Sequence, residues 1–321
     1  MTDSPLLVVD QLSVEIRRKD RTVHPLQGVS FSVRPGTRTG IVGESGSGKS
    51  MSALAVLRHL PEGGVITAGR IAFDGEELLA LSEQQMRHVR GRQISIVFQN
   101  AVAALNPLYS VGQQIADVYR YHEGVSKQAA WDKAVSMLDS MGIPNAAQKA
   151  KEHPHQYSGG MAQRAMIAMA LVCSPRLLIA DEPTTGLDMT IQAQVLDLIV
   201  DVIDQSGASL LLISHDMGVI SEICTDVIVM YAGQVMEAGP VDRVLGSPEH
   251  PYTQALVECF RAEGGRRLSF IPGRVPDLRV VHTGCPFAPR NPIATQRCWE
   301  EAPALHEIAP GHWVACHLVQ E

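Results

Sequence analysis

Residues 43–50 of this chain read Gly43-Glu44-Ser45-Gly46-Ser47-Gly48-Lys49-Ser50, a spacing suited to a polyphosphate. Glycines let backbone N–H groups converge on phosphate oxygens at a helix start. Lys49 brings a cation to the β- and γ-phosphates, and Ser50 offers a hydroxyl to Mg²⁺. Further along, Leu177-Leu178-Ile179-Ala180 runs into two carboxylates, Asp181 and Glu182. Four apolar residues ending in acid mark a buried strand, and ligands of open α/β sheets collect at such C-terminal strand ends, so Asp181 is placed to hold the magnesium shell. Glu182, one residue on, can polarise an attacking water and is the candidate general base. A helix-capping Asp followed by a solvated Glu would account for that pair alone; beside the glycine-rich loop, nucleotide hydrolysis accounts for both. Ahead of the carboxylates, Ser158-Gly159-Gly160-Met161 opens a helix of small residues, which makes a second anion-binding helix start.

Those groups need elements to hold them. Thr39-Gly40-Ile41-Val42 is a short buried-strand pattern leading into the glycine loop, and Met51–Leu60 reads as helix until Pro61. Before it, Leu6–Ile16 and Val29–Val33 alternate as strands around a basic turn, Arg17-Arg18-Lys19-Asp20-Arg21, which reads as a solvated hairpin tip. Between about Ser110 and Val172 the periodicity is helical, at Val111–Tyr121, Lys127–Met141 and Met161–Val172. Short strands then return at Leu177–Ala180, Ser209–Ile213 and Asp226–Tyr231, alternating with helices such as Thr190–Asp204. The expectation is an α/β core of parallel βαβ units over residues 1–260, with a helical subdomain inserted at about 105–173. Residues 261–321 lack a long periodic segment and are expected as a separate extension.

The composition agrees with a globular chain. Its 321 residues are 45% hydrophobic and 19% charged, and the formal charge is 27 − 34 = −7. Disorder and collagen are excluded on that balance, and a whole-surface electrostatic grip on nucleic acid or anionic lipid is not expected. Apolar runs such as Leu210–Ile213 fall far short of the roughly 20 residues that span a bilayer. Met1-Thr2-Asp3-Ser4-Pro5 shows no basic region followed by an apolar one, so the cytoplasm is the expected compartment and the six cysteines are expected as reduced thiols or metal ligands.

The order of the motifs resembles that of ABC-type ATPases. Tyr157-Ser158-Gly159-Gly160-Met161-Ala162-Gln163-Arg164 is similar to the family signature, Val97-Phe98-Gln99 to its Q-loop, Thr184-Thr185-Gly186-Leu187-Asp188 to its D-loop and Ile213-Ser214-His215-Asp216 to its switch region. The resemblance spans roughly residues 5 to 260. It implies that ATP is sandwiched between the P-loop of one subunit and Ser158, Gly159, Gly160 and Met161 of another, with Asp188 touching the opposite subunit. It also implies that Gln99 reaches Mg²⁺ or the lytic water, that His215 lies near the γ-phosphate, and that Mg²⁺ is held through Ser50, Gln99 and Asp181. An ordinary Ser-capped helix or a buried structural histidine would explain single motifs but not their order. Tyr157 replaces the usual leucine and Met161 the usual glutamine, while the Ser and Gly groups that face phosphate are kept. The family commonly stacks an aromatic on adenine; the hairpin here offers Ile16, Val23 and His24 and no aromatic between residues 1 and 30.

Phe98-Gln99-Asn100-Ala101-Val102-Ala103-Ala104-Leu105-Asn106-Pro107 and Thr190-Ile191-Gln192-Ala193-Gln194-Val195 narrow the resemblance to ATPase subunits of dipeptide, oligopeptide and nickel importers. So do His250-Pro251-Tyr252-Thr253, Ile271-Pro272-Gly273 and Gly284-Cys285-Pro286-Phe287-Ala288-Pro289-Arg290 in the extension. Some members carry four cysteines there that hold an iron–sulfur cluster; here Asn291 stands where one of them is expected. Cys285, Cys298 and Cys316 leave open a three-thiolate cluster, a zinc site completed by His312 or His282, or a metal-free tail of reduced thiols. Cys173, Cys224 and Cys259 sit in apolar contexts and are expected as core residues.

The resemblance thus implies a peripheral subunit on the cytoplasmic face of the cell membrane that hydrolyses ATP with Mg²⁺ to power import of peptides or a related solute such as a nickel chelate. Its implied partners are two transmembrane permease subunits met by the helical subdomain and Asn100–Tyr109, a second ABC ATPase that is a copy or a related chain, and an extracytoplasmic solute-binding protein; nucleic acid is not among them. The alternative from another class, a soluble ABC ATPase acting on nucleic acid or ribosomes, would bring tandem cassettes, a coiled-coil insertion or a basic face, and none is visible.

Overall fold

Alternating apolar and polar residues near the N-terminus form the expected hairpin: β1 (Leu7–Arg17) and β2 (Thr22–Val33) pair antiparallel, Leu7 opposite Val33 and Arg17 opposite Thr22. The second strand starts well before Val29, and the basic residues 18–21 close the tip with Arg18 N donating to Arg21 O at 2.9 Å. In this computed structural model, which describes residues 4–263 and 270–319, the chain divides into two compact units: Met1–Ala80 with Leu212–Glu321, and Leu81–Leu211.

In the first unit, β4 (Gly64–Phe73) and β5 (Glu76–Glu77) complete a four-stranded antiparallel sheet ordered β2-β1-β4-β5. A second group of strands surrounds β3 (Arg38–Val42), which runs parallel to β9 (Asp226–Tyr231) with Ile41 opposite Ile228. Both are almost wholly buried, as expected for parallel strands covered on two faces. Strand β10 (Gln234–Pro240) pairs antiparallel with β9, β12 (His312–Val314) with β10, and β11 (His306–Ala309) with β12. The extension, expected as an irregular stretch apart from the sheet, therefore adds a hairpin to it. Strands of four and three residues are too short to announce themselves by periodicity. The junction is sealed by Glu237 on β10, fully buried, whose carboxylate accepts from Glu249 N and His250 N at 3.0 Å each and meets His312 Nε2 at 2.8 Å.

Helices α1 (Lys49–Val56), α9 (Met217–Ile223), α10 (Val241–Val244), α11 (Pro251–Glu263) and α12 (Gln296–Glu300) complete this unit. The expected run to Leu60 is cut short, because Arg58 takes a left-handed backbone (φ 50°) while its guanidinium donates to Leu78 O.

In the second unit, β6 (Ile94–Val97) and β7 (Leu177–Asp181) pair parallel, Ile94 opposite Leu177 and Val97 opposite Ala180. After α2 (Glu83–Val89), the chain between these strands is helical: α3 (Ala101–Ala104), α4 (Val111–Glu123), α5 (Lys127–Ser140), α6 (Ala146–Lys149) and α7 (Gly159–Leu171). The three long helices match the periodicity of the sequence; α3 and α6, one turn each, left no periodic trace. Strand β7 leads to α8 (Met189–Ser206), which buries Val195, Leu196, Ile199 and Ile203 as one stripe and stops at Gly207 in the left-handed region. Burying each such side chain is worth about 1.5–3 kcal/mol. The boundary between the units falls inside β8 (Ser209–Ile213).

Candidate functional site

The glycine loop leaves β3 and enters α1 as the sequence implied, and its backbone explains two of the glycines. Gly43 has φ 148°, and a Cβ there would lie 2.1 Å from the carbonyl oxygen of Met230 on β9; at Gly48, φ 104°, a Cβ would come within 2.7 Å of Pro25 O. Gly48 also caps α1 without any side-chain hydrogen bond, and no acidic residue occupies the first turn, so the helix start keeps its positive character. Lys49 is buried, and its ammonium donates to Gly43 O at 2.8 Å and Glu44 O at 3.1 Å. Ser47 Oγ is buried with no hydrogen-bond partner among the described residues. A loop whose buried hydroxyl and helix start await an acceptor fits a polyphosphate. Ser45, Gly46 and Ser50 lie exposed along it.

On the same unit, His215 follows β8 on an exposed turn. Ser214 N donates to Ile41 O at 3.2 Å, one residue before the end of β3, Ser214 Oγ accepts from Asp216 N, and Asp216 caps α9 by accepting from Gly218 N and Val219 N. The turn that carries His215 is thus anchored to the strand that feeds the glycine loop.

The second unit holds the Glu182 carboxylate among fixed partners. Gln99 and Glu182 each lie just beyond the C-terminal ends of the paired strands β6 and β7, and Gln99 Nε2 donates to Glu182 Oε2 at 2.9 Å. Thr185 Oγ1 donates to the same oxygen at 3.0 Å, and Thr185 N to Glu182 O at 3.2 Å. Glu182 itself has φ 47°, a left-handed backbone that costs a non-glycine residue about 1–3 kcal/mol and clusters at functional sites. Sequence reasoning named all three residues through their motifs but not this triangle, in which Thr185 is a second anchor for the carboxylate.

The signature and D-loop share a surface. Ser158 caps α7 by accepting from Met161 N at 3.3 Å, and Asp188 caps α8 by accepting from Ile191 N at 3.0 Å. Ser158, Gly159, Gly160, Met161 and Asp188 line one open cleft of about 560 Å³. A Cβ on Gly160 would come within 2.7 Å of Ile191 Cγ2, so its lack of a side chain lets the two helix starts sit close. Tyr157, the departure from the usual leucine, is buried; its hydroxyl donates to Lys149 O at 2.8 Å and burial pushes its phenol up to about 12.

Ser50, Gln99 and Asp181 each carry an oxygen donor of the hard kind that Mg²⁺ takes, and Gln99 engages Glu182 through its amide nitrogen rather than its oxygen. The extension's cysteines do not form a comparable set. Among the described residues no three His, Cys, Asp or Glu side chains are grouped to hold a metal ion. Cys285 N donates to Cys298 O, and burial pushes the Cys285 thiol up to about 11, with Cys316 and Cys298 near enough to push the same way. His312, offered by the sequence as a fourth ligand, is turned instead to Glu237. Among the described residues the placed side chains offer no complete ligand set for an iron–sulfur cluster or a zinc ion.

A glycine loop between strand and helix, a carboxylate pair after a buried strand and a Ser-Gly-Gly helix start together define an ABC-type ATPase. The chain belongs to the ABC transporter family, matching it over residues 26–185, and residues 236–298 match the oligopeptide/dipeptide transporter C-terminal region. It is 49% identical to the probable peptide ABC transporter ATP-binding protein y4tR of Sinorhizobium fredii, over 97% of this chain and 94% of that one. It is 43% identical to the dipeptide transport ATP-binding protein DppD of Escherichia coli, over 97% and 96%, and 43% identical to the oligopeptide transport ATP-binding protein AppD of Bacillus subtilis, over 99% and 98%. In fold it is similar to the dimeric ATP-binding cassette MJ0796 in a post-hydrolysis state bound to ADP and phosphate, with a TM-score of 0.66 over 73% of this chain and 98% of that one at 22% identity. CbiO1 of Clostridium perfringens, part of the ABC transporter complex cbiONQ, gives 0.63 over 77% and 92% at 27% identity.

Proposed function

We propose that this chain is the ATP-hydrolysing subunit of a membrane importer of peptides. Residues 1–260 act as the cassette, with the helical insertion at about 105–173, and residues 261–321 as its extension. The glycine loop from Gly43 to Ser50 cradles the phosphates, with Lys49 released from its loop carbonyls to meet them. Mg²⁺, when bound, neutralises charge on the β- and γ-phosphates, with Ser50, Gln99 and Asp181 as its protein ligands. Glu182, oriented by Gln99 and Thr185, takes the proton of the attacking water, and His215 steadies the γ-phosphate.

The cleft of Ser158, Gly159, Gly160, Met161 and Asp188 receives the nucleotide of a second ATPase, either a copy or a related chain, so that ATP closes the pair and hydrolysis reopens it. Exposed Val102, Leu108 and Tyr109 offer apolar surface for cytoplasmic loops of two permease subunits. In this reading the subunit works from the cytoplasmic face of its permeases, and an extracytoplasmic binding protein selects the solute; among the described residues no helix is long and apolar enough to cross a membrane. The full-length likeness to dipeptide and oligopeptide transport subunits, extension included, favours peptides as the cargo.

The observation that carries the hydrolytic assignment is the Gln99–Glu182–Thr185 triangle at the ends of two adjacent parallel strands. Glu182→Gln keeps the shape and removes the base: it is expected to bind ATP while turnover falls by about 10²–10⁴-fold. Steady-state phosphate release checks this, and normal turnover removes Glu182 from its role.

A further inference from the structure

Three motifs of the C-terminal region that hydrolysis leaves unused converge on one residue of the phosphate loop. From the His250-Pro251-Tyr252-Thr253 stretch, Tyr252 Oη accepts the backbone N–H of Glu44 at 3.0 Å. From the segment ending in Arg290, the guanidinium makes a forked bond to the Glu44 carboxylate, Nη1 to Oε2 at 2.6 Å and Nη2 to Oε1 at 3.2 Å. From Ile271-Pro272-Gly273, the Ile271 and Pro272 carbonyls accept from Arg290 Nη2 at 2.7 Å and Nε at 2.8 Å, and Tyr231 Oη accepts from Nη1 at 3.1 Å. Gly273, φ 88°, packs where a Cβ would press on Arg290 Cγ at 3.0 Å.

The Arg290 side chain is only 3% exposed. Beneath it, Tyr231, Tyr252 and Phe287 pack with ring centroids 4.5 to 5.5 Å apart, which locks the frame that carries it. Burying a guanidinium is costly unless its donors are matched. Here carbonyls, a phenol and a carboxylate match them, so the extension carries a fixed cation to the loop 246 positions earlier in the chain.

We propose that Arg290 is a positioning residue for the nucleotide: by neutralising and anchoring Glu44 it holds the phosphate loop in shape and raises its affinity for ATP. Glu44 is an acid in a loop that must receive a polyanion. Left without Arg290 its carboxylate repels the phosphates and loses the fork that fixes it, while the bonds of Tyr252, Lys49 and Ser47 to the Glu44 backbone remain. This rests on the assignment of ATP phosphates to residues 43–50.

The test is calorimetric titration of the purified full chain with Mg-ATP and Mg-ADP. Arg290→Met is expected to raise the Kd for ATP about tenfold, with a smaller rise for ADP and for either nucleotide in high salt, because repulsion scales with phosphate charge and is screened. Adding Glu44→Gln to Arg290→Met is expected to recover at least half of that loss on a logarithmic scale, which a purely architectural arginine would not allow. A change below threefold, equal losses for ATP and ADP, or a double variant no tighter than Arg290→Met overturns the proposal. Should Arg290→Met not fold, Arg290→Lys reports instead: it keeps the charge without the fork and is expected to raise Kd about threefold, and wild-type affinity overturns the proposal. Lys49→Ala separates the two assignments. If it binds ATP normally the phosphate-loop assignment itself fails; if it loses ATP while the Arg290 variants do not, only the role of Arg290 fails.

Discussion

The glycine loop and the signature cleft both present helix starts to phosphate, yet they are built on opposite plans. Around the glycine loop, buried groups press from several sides: Met230 O against Gly43, Pro25 O against Gly48, Tyr252 and Arg290 on Glu44. At the signature, Ser158 and Gly159 stand exposed with only a local cap, and Asp188 likewise. The first site is preorganised within one unit of this chain. The second is an open half, and in the proposed function its complement comes from a second ATPase. Preorganisation lowers the cost of binding, whereas an exposed half gains its ligand only when a partner closes, which suits a cycle driven by association and release.

That contrast can be broken at single atoms. Gly43→Ala forces a Cβ onto a backbone carbonyl that cannot swing away, so it is expected to cost about 3 kcal/mol of stability and at least tenfold in ATP affinity. Gly160→Ala meets a side-chain methyl, Cγ2 of Ile191, rather than a backbone carbonyl, and is expected to cost less than Gly43→Ala, about 1–2 kcal/mol. Denaturant midpoints of the pair decide: equal losses would show the signature to be as tightly braced as the loop.

Asp188→Ala removes the cap of α8 and is expected to cost about 1 kcal/mol in the same measurement, with ATP affinity of the isolated chain held and cooperativity of turnover lowered. Loss of affinity in the isolated chain would instead tie Asp188 to the glycine-loop site.

An acid effect is also expected, and it belongs to the braced region. His250 is fully buried, its Nδ1 accepting from Tyr252 N, and burial pushes it down from 6.5 to about 3. Between those values the unfolded chain binds a proton that the folded chain refuses, so this residue makes stability fall as pH drops below about 6.5, the loss growing until about 3. Thermal midpoints from neutrality towards about pH 5 are expected to slope downward. His250→Asn, which keeps an acceptor for Tyr252 N, is expected to flatten the slope, and an unchanged slope assigns the acid sensitivity to other groups.

Much of the site was legible because its motifs are local: glycines flanked by strand and helix, carboxylates after four apolar residues, a serine before two glycines. Each is satisfied within about ten residues, so spacing alone carried it. What the sequence could not show is what lies across sequence distance. Arg290 reads as one arginine in an irregular stretch, and nothing in its neighbours announces Glu44. His312 reads as a metal ligand beside cysteines, and only the fold turns it to Glu237. Strained backbone is equally silent: Glu182 and Arg58 adopt left-handed conformations that neither residue type advertises. The cysteines left their alternatives open for a related reason, since three thiols along a tail say nothing of where their side chains converge.

The pairing of Glu237 with His312 bears on how such cassettes are inherited. A chain trimmed after the last helix of its catalytic core would lose both the imidazole that meets this carboxylate and the strand β12 that pairs beside it, leaving the acid only the N–H groups of Glu249 and His250, a defect that weakens this corner of the fold. The terminal region is therefore no cartridge to be swapped between lineages. Core and terminus have to change together, and a hybrid that joins one member's core to another's terminus carries the penalty unless acid and imidazole arrive as a pair.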